Sequence, residues 1–147
     1  MLFFKVIHIL SMFSVVTLWV GGWVFWDLVA RSGDRDALRR VDLITQRTGA
    51  IGFGLLLVGV LAGFATAVTG GFNLVAPWLL IAYVFLASDL LTLRLFAVHT
   101  ERVRAATENE AADLQAVAGS IRANLTLVAV VGFWALLIAD MALRPFS

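Results

Sequence analysis

Apolar residues run almost unbroken through four stretches of this chain, separated by two charged connections and one uncharged one. The stretches cover residues 2–30, 49–68, 76–98 and 124–143, and each has the roughly 20 residues that an α-helix needs to cross a ~30 Å hydrocarbon core. This pattern predicts an all-α protein, a four-helix transmembrane bundle of up-down-up-down topology, forming a single integral membrane domain over 1–147. Most of the first stretch follows Lys5 near the amino terminus, as the apolar run of a signal peptide would follow a basic residue. Its length and its bulk (Trp19, Trp23 and Trp26) mark it instead as a retained helix.

The arginines set an expected orientation. Arg31, Arg35, Arg39, Arg40 and Arg47 lie between the first and second stretches, and Arg94, near the end of the third stretch, is followed by Arg102, Arg104 and Arg122 before the fourth. The connection 69–76 carries no charge. The positive-inside rule then places the first and third connections in the cytoplasm and both termini outside, with Lys5 and Arg144 on the outer side. Both inner connections read as helical. In the segment from Asp34 to Arg40 the acids precede the arginines, as the helix dipole favours, and Leu38, Val41 and Ile44 recur on one face. The segment 101–122 is rich in good helix formers, with its turn at Thr107-Glu108-Asn109. Helices 2, 3 and 4 are therefore expected to extend into the cytoplasm.

Composition excludes several function classes. With 61% hydrophobic and 14% charged residues among 147, and a mean hydropathy of +0.95, the chain is too apolar for a soluble domain. The absence of cysteine removes disulfides, thiolate metal sites, iron–sulfur clusters and haem attachment through a cysteine pair. A net charge of +1 without a basic stripe argues against nucleic acid as a partner. The partners this leaves are the lipid bilayer and, within it, a second copy of the chain or other membrane subunits.

Ionisable groups inside apolar runs are costly and mark the places to seek function. Taking ~1.5 Å of rise per residue from each helix centre, Asp89 falls at mid-membrane, Arg94 about 9 Å toward the inside and Asp140 about 9 Å toward the outside. His8 falls about 12 Å toward the outside and His99 about 16 Å toward the inside, too far apart to share one metal or haem. Asp89 and Arg94 are five residues apart, which points them away from each other on a helix. Arg94 can snorkel to the inner boundary, with Asp27 as a partner. Asp89 is then alone at its depth, and takes up a proton, bonds a hydroxyl such as Ser14, Thr17 or Thr66, or contacts water.

The first helix offers one candidate ligand. His8, Met12, Val15, Trp19, Gly22 and Trp26 follow helical spacing, and Asp140 of the last helix arrives near the depth of His8. A carboxylate on one imidazole nitrogen would fix the tautomer and leave the other nitrogen for a metal or proton. The alternative is a structural histidine satisfied by Asp140, Ser11 or the backbone. On the second helix, Gly52, Gly59, Gly63, Thr66 and Gly70 form a stripe of small residues. Such a stripe admits a neighbouring helix, and would equally admit a flat macrocycle or quinone.

Short motifs carry a resemblance. The opening Phe4-Lys5-Val6-Ile7-His8-Ile9-Leu10, the following Trp19-Val20-Gly21-Gly22, Arg31-Ser32-Gly33-Asp34, the run Pro77-Trp78-Leu79-Leu80-Ile81-Ala82-Tyr83 and the closing Leu143-Arg144-Pro145-Phe146 resemble an uncharacterised bacterial family of four-helix integral membrane proteins. The helix count, the early histidine, the aromatic opening of helix three and the basic-Pro-Phe ending are similar to the HemJ-type protoporphyrinogen oxidase. That resemblance implies a bacterial inner-membrane location and a functional role for His8 as the ligand of haem b, or as the centre of a porphyrin or quinone site. The chain departs from HemJ where that enzyme has a lysine four residues after the opening tryptophan of helix three; here the residue is Ala82. It also has Trp26-Asp27 where HemJ carries a basic residue. Whether the chain is an enzyme is left open by these departures.

Two readings follow. In one, the bundle is a HemJ-like protein whose cofactor-binding residues are His8, Met12, Trp19, Gly59, Gly63 and Asp140, with His8 on the haem iron. In the other, it is a non-catalytic accessory or assembly subunit of a larger membrane complex, its glycine stripe and Asp89 turned toward neighbours. Transport using Asp89 and Arg94 is a weaker third, because four helices without an internal repeat leave little room for a gated path.

Overall fold

The computed structural model of the protein describes residues 2–143, with side chains for residues 2–139; the side chain of Asp140 and the Arg144-Pro145-Phe146 ending lie outside these. All regular elements among the described residues are helical. They are α1 (Leu2–Val16), a π-helical turn (Thr17–Gly21), α2 (Gly22–Ser32), α3 (Arg35–Thr69), α4 (Pro77–Glu108), α5 (Leu114–Ala118) and α6 (Ile121–Leu143). Four helical stretches are long and apolar enough to cross a membrane: Leu2–Ser32, Arg35–Thr69, Pro77–Glu108 and Ile121–Ala139.

The core is apolar, as in a water-soluble bundle, but so is much of the outer surface. Large apolar side chains such as Phe13, Leu61 and Leu125 face outward, whereas Ser11, Asp27, Thr66, Asp89, Thr92 and His99 are buried. A bilayer supplies the apolar surroundings those outward faces need, and confines polar groups to the interior.

Turns are set by local chemistry. Gly33 ends α2 in the left-handed region (φ 78°), which a residue with a Cβ adopts only with strain, and Asp34 then caps α3 by accepting from the Ala37 amide at 2.8 Å. Pro77 opens α4, where its missing N–H costs nothing. The chain between α4 and α6 departs from expectation. The turn expected at 107–109 falls later, because α4 runs through Glu108 and the break follows from Asn109, and the fourth helix does not run continuously outward. Asp113 caps the short α5, Gly119 closes it, and α6 starts afresh at Ile121. Only α3 and α4 project beyond their apolar segments, being about 52 and 48 Å long at ~1.5 Å per residue.

Two helix pairs form the bundle. In the first, α1 lies antiparallel on the glycine stripe of α3, with His8 over Gly63, Met12 over Gly59 and Trp19 over Gly52. In the second, α4 packs along α6. An aromatic cluster joins them. Trp19 stacks on Trp23 (5.8 Å) and meets Trp134 edge-on (6.2 Å), Trp23 lies 4.6 Å from Phe96, and Trp26 approaches both Phe96 and His99. The π turn alters the face expected for helix one. After Trp19 the buried positions are Trp23, Trp26, Asp27 and Ala30, not Gly22, since the wider turn rotates the segment that follows.

At the far end of α3 and α4, hydrogen bonds replace apolar contacts. Arg35 donates to the carbonyls of Ala106 (2.5 Å), Thr107 (2.9 Å) and Ala112 (2.7 Å), satisfying the end of α4 and the loop beyond it. Leu38 is buried and Val41 packs on the core, but Ile44, expected on the same face, is exposed; the inward face continues through Asp42. A helix turn is 3.6 residues, so the stripe drifts away from Ile44 within two turns.

Candidate functional site

His8 is half-buried on α1, and its ring Nδ1 lies 2.7 Å from the Gly59 carbonyl oxygen of α3. A carbonyl only accepts, so Nδ1 carries the proton and Nε2 holds the lone pair of the neutral ring. The approach is possible because α3 is bare here. A Cβ on Gly63 would lie 2.8 Å from Nδ1, and one on Gly59 would lie 2.9 Å from the Met12 sulfur. The partner that fixes the imidazole is therefore a backbone oxygen made accessible by glycine. The expected carboxylate partner, Asp140, has its side chain outside the described residues.

The structure brings His8, Met12, Trp19, Gly59 and Gly63 into one seam, where side chains of α1 fill the space left by the glycines. Met12 and Trp19 are both buried. The Trp19 indole overlaps the position that a Cβ on Gly52 would take, and its Nε1 donates to the Gly49 carbonyl at 3.1 Å. Close helix approach is what the stripe accomplishes between α1 and α3.

Asp89 occupies a different place. It continues the buried stripe of α4 formed with Thr92, Phe96, His99, Val103 and Ala106, and is 2% exposed. Neither carboxyl oxygen has a hydrogen-bond partner among the described residues. The hydroxyls considered for it are engaged within their own helices: Ser14 donates to Leu10, Thr17 to Phe13 and Thr66 to Ala62. A hydroxyl on a helix commonly bonds back to the preceding turn, and here that competes successfully with a long-range contact. The indole Nε1 of Trp134 and Nε2 of His99 are likewise buried without partners among the described residues.

Arg94 is exposed on the outer face of α4. The carboxylate proposed for it, Asp27, is taken by Arg31 one turn later (2.5 Å), and Arg31 also donates to Asn124 of α6 at 2.6 Å. An i, i+4 partner on the same helix needs no search across the bundle.

The most extensive polar site went unread in the sequence. Asp42 of α3 receives two bonds from Arg104 of α4, both at 2.8 Å, one from the Trp26 indole at 3.1 Å and one from Gln46 at 2.9 Å. Burial alone would raise the Asp42 pKa, but the hydrogen bond and charge of Arg104, with the bonds from Gln46 and Trp26, outweigh it and hold the carboxyl below its ordinary range. The available signal was Trp26, since a buried indole N–H requires an acceptor.

Beside this network, a groove of about 570 Å³ opens between α4 and the junction of α5 with α6, lined in part by His99, Arg102 and Arg122. No cluster of three or more His, Asp or Glu with metal-binding proximity occurs among the described residues. No protein-family model, curated protein or solved structure matches the chain.

Proposed function

We propose that this protein is a HemJ-like four-helix protein of a bacterial inner membrane, which binds a haem-class tetrapyrrole through Nε2 of His8. The observation that carries the reading is the 2.7 Å contact between His8 Nδ1 and the Gly59 carbonyl. Histidines that ligate metals usually donate their second N–H to a carbonyl or carboxylate, which fixes the ring and directs the other nitrogen at the metal. His8 has that arrangement and is half-buried, so the ring is held without being sealed. When bound, haem b would supply redox chemistry at iron, and the Gly59 carbonyl would raise the basicity of its ligand. In this reading the cofactor rests beside His8. The glycine stripe holds α1, and Met12 and Trp19 keep α1 at the spacing that the His8 contact requires.

The accessory-subunit reading draws less support. It relied on Asp89 and the glycine stripe facing neighbouring subunits, and both turn inward within one chain. The proposed orientation remains the one given by the arginines, with both termini outside and the Asp42–Arg104 end in the cytoplasm.

The test is spectroscopic. Protein purified after expression with supplied haem should show a Soret band that His8→Ala abolishes and His99→Ala preserves. A colourless wild-type preparation would overturn the haem assignment, and stoichiometric co-purifying proteins in that preparation would favour the accessory role.

A further inference from the structure

We infer that the groove between α4 and the start of α6 holds the phosphate headgroup of an anionic membrane lipid, with an acyl chain laid along Leu95, Val98 and Leu125. The lining changes character along the helix axis. Leu95, Val98 and Leu125 belong to apolar segments, whereas Arg102 and Arg122 sit where those segments give way to charge. From Leu95 to Arg102 is seven residues, or about 10 Å of helix, comparable to the distance from upper acyl chain to headgroup.

Two features favour an anion at the polar end. Two arginines from different helices line one groove, and no carboxylate is among its lining residues. The amino terminus of α6, a long helix, begins there at Ile121, and its dipole adds positive potential. Charge complementarity selects a phosphate, and the adjoining apolar wall selects one attached to an acyl chain over a free ion. The inference requires that the chain cross a bilayer but is independent of His8.

The full-length protein in mild detergent is titrated with phosphatidylglycerol, and separately with phosphatidylcholine of the same acyl chains, and bound lipid is read by native mass spectrometry. Phosphatidylglycerol should be retained in preference. Retention should fall about fivefold for each of Arg102→Gln and Arg122→Gln, as expected for an interfacial arginine. Arg40→Gln, at an exposed arginine outside the groove, should leave it unchanged. Val98→Trp fills the apolar end while keeping both charges, and should lower retention even if the arginine variants fold poorly. Equal retention of the two lipids, wild-type retention in Val98→Trp and the arginine variants, or an equal loss in Arg40→Gln would overturn the proposal. Displacement of the lipid by inorganic phosphate at comparable concentration would replace it with a soluble-anion site.

Discussion

Asp42 and Arg104 meet in a two-pronged ion pair, Oδ2 to Nε and Oδ1 to Nη2, both at 2.8 Å, and it fastens α3 to α4 beyond their apolar segments. Because the carboxyl ionises more readily in the folded chain, the pair contributes stability above the unfolded pKa of about 3.9, and that contribution is lost as pH falls through the lower folded value. Asp42→Asn should therefore cost about 1–3 kcal/mol at neutral pH. The gap to wild type should begin to narrow as pH falls below the unfolded value of about 3.9 and close only below the lower folded value, where wild type too carries a neutral group. Unfolding curves in detergent at the two pH values check this; a gap that persists in acid would show that the lost stability is not ionic.

At the seam between α1 and α3, Gly52 has no room for a side chain, since the indole of Trp19 occupies it. Gly52→Ala should destabilise the protein by about 1–3 kcal/mol, the usual cost of overpacking, and should break the Trp19 bond to Gly49. Gly54→Ala is the matched control. Nothing lies within 4 Å of a Cβ there, so it should be neutral or stabilising by up to about 1 kcal/mol. Tryptophan fluorescence and thermal unfolding of both variants distinguish a lost fit from a general helix effect.

Asp89 buries both carboxyl oxygens without a partner among the described residues, an arrangement that costs stability. Asp89→Val should raise unfolding stability by about 1–3 kcal/mol, the penalty removed with an unsatisfied polar group. A loss of stability instead would reveal a bonded carboxyl, and a gain accompanied by lost haem retention would tie the residue to function.

The absence of native cysteine makes single introduced cysteines unambiguous reporters of sidedness. Asn73→Cys, in the uncharged loop between α3 and α4, should react with a membrane-impermeant maleimide in intact cells. Glu110→Cys, between α4 and α5, should react only after the membrane is opened. The reverse labelling would invert the orientation drawn from the arginines.

Part of the candidate site was legible in advance. The spacing of His8, Met12 and Trp19 marked one face of the first helix, and Gly52, Gly59 and Gly63 marked a bare stripe on the second, because an absent side chain is written directly in the sequence. Their mutual contact was not announced, nor was the Gly59 carbonyl as the partner of His8, since every residue carries a carbonyl and sequence does not say which is exposed to a neighbour. Arg94 and Asp27 illustrate the opposite case. Matching charge and depth suggested a pair, but Asp27 had a closer choice in Arg31.

By itself, the sequence determined the class, the number of apolar helices, the turn chemistry at Gly33-Asp34 and the concentration of charge at one end. These depend on hydropathy, length and local backbone preference, which act over a few turns of helix. Tertiary structure alone decided that the π turn carries Trp23 into the core in place of Gly22, that Asp42 gathers Arg104 and Trp26, and that Asp89 faces inward without a partner. Each depends on the axial register and rotation of one helix against another, where a shift of one residue turns a side chain through about 100° and exchanges one neighbour for the next.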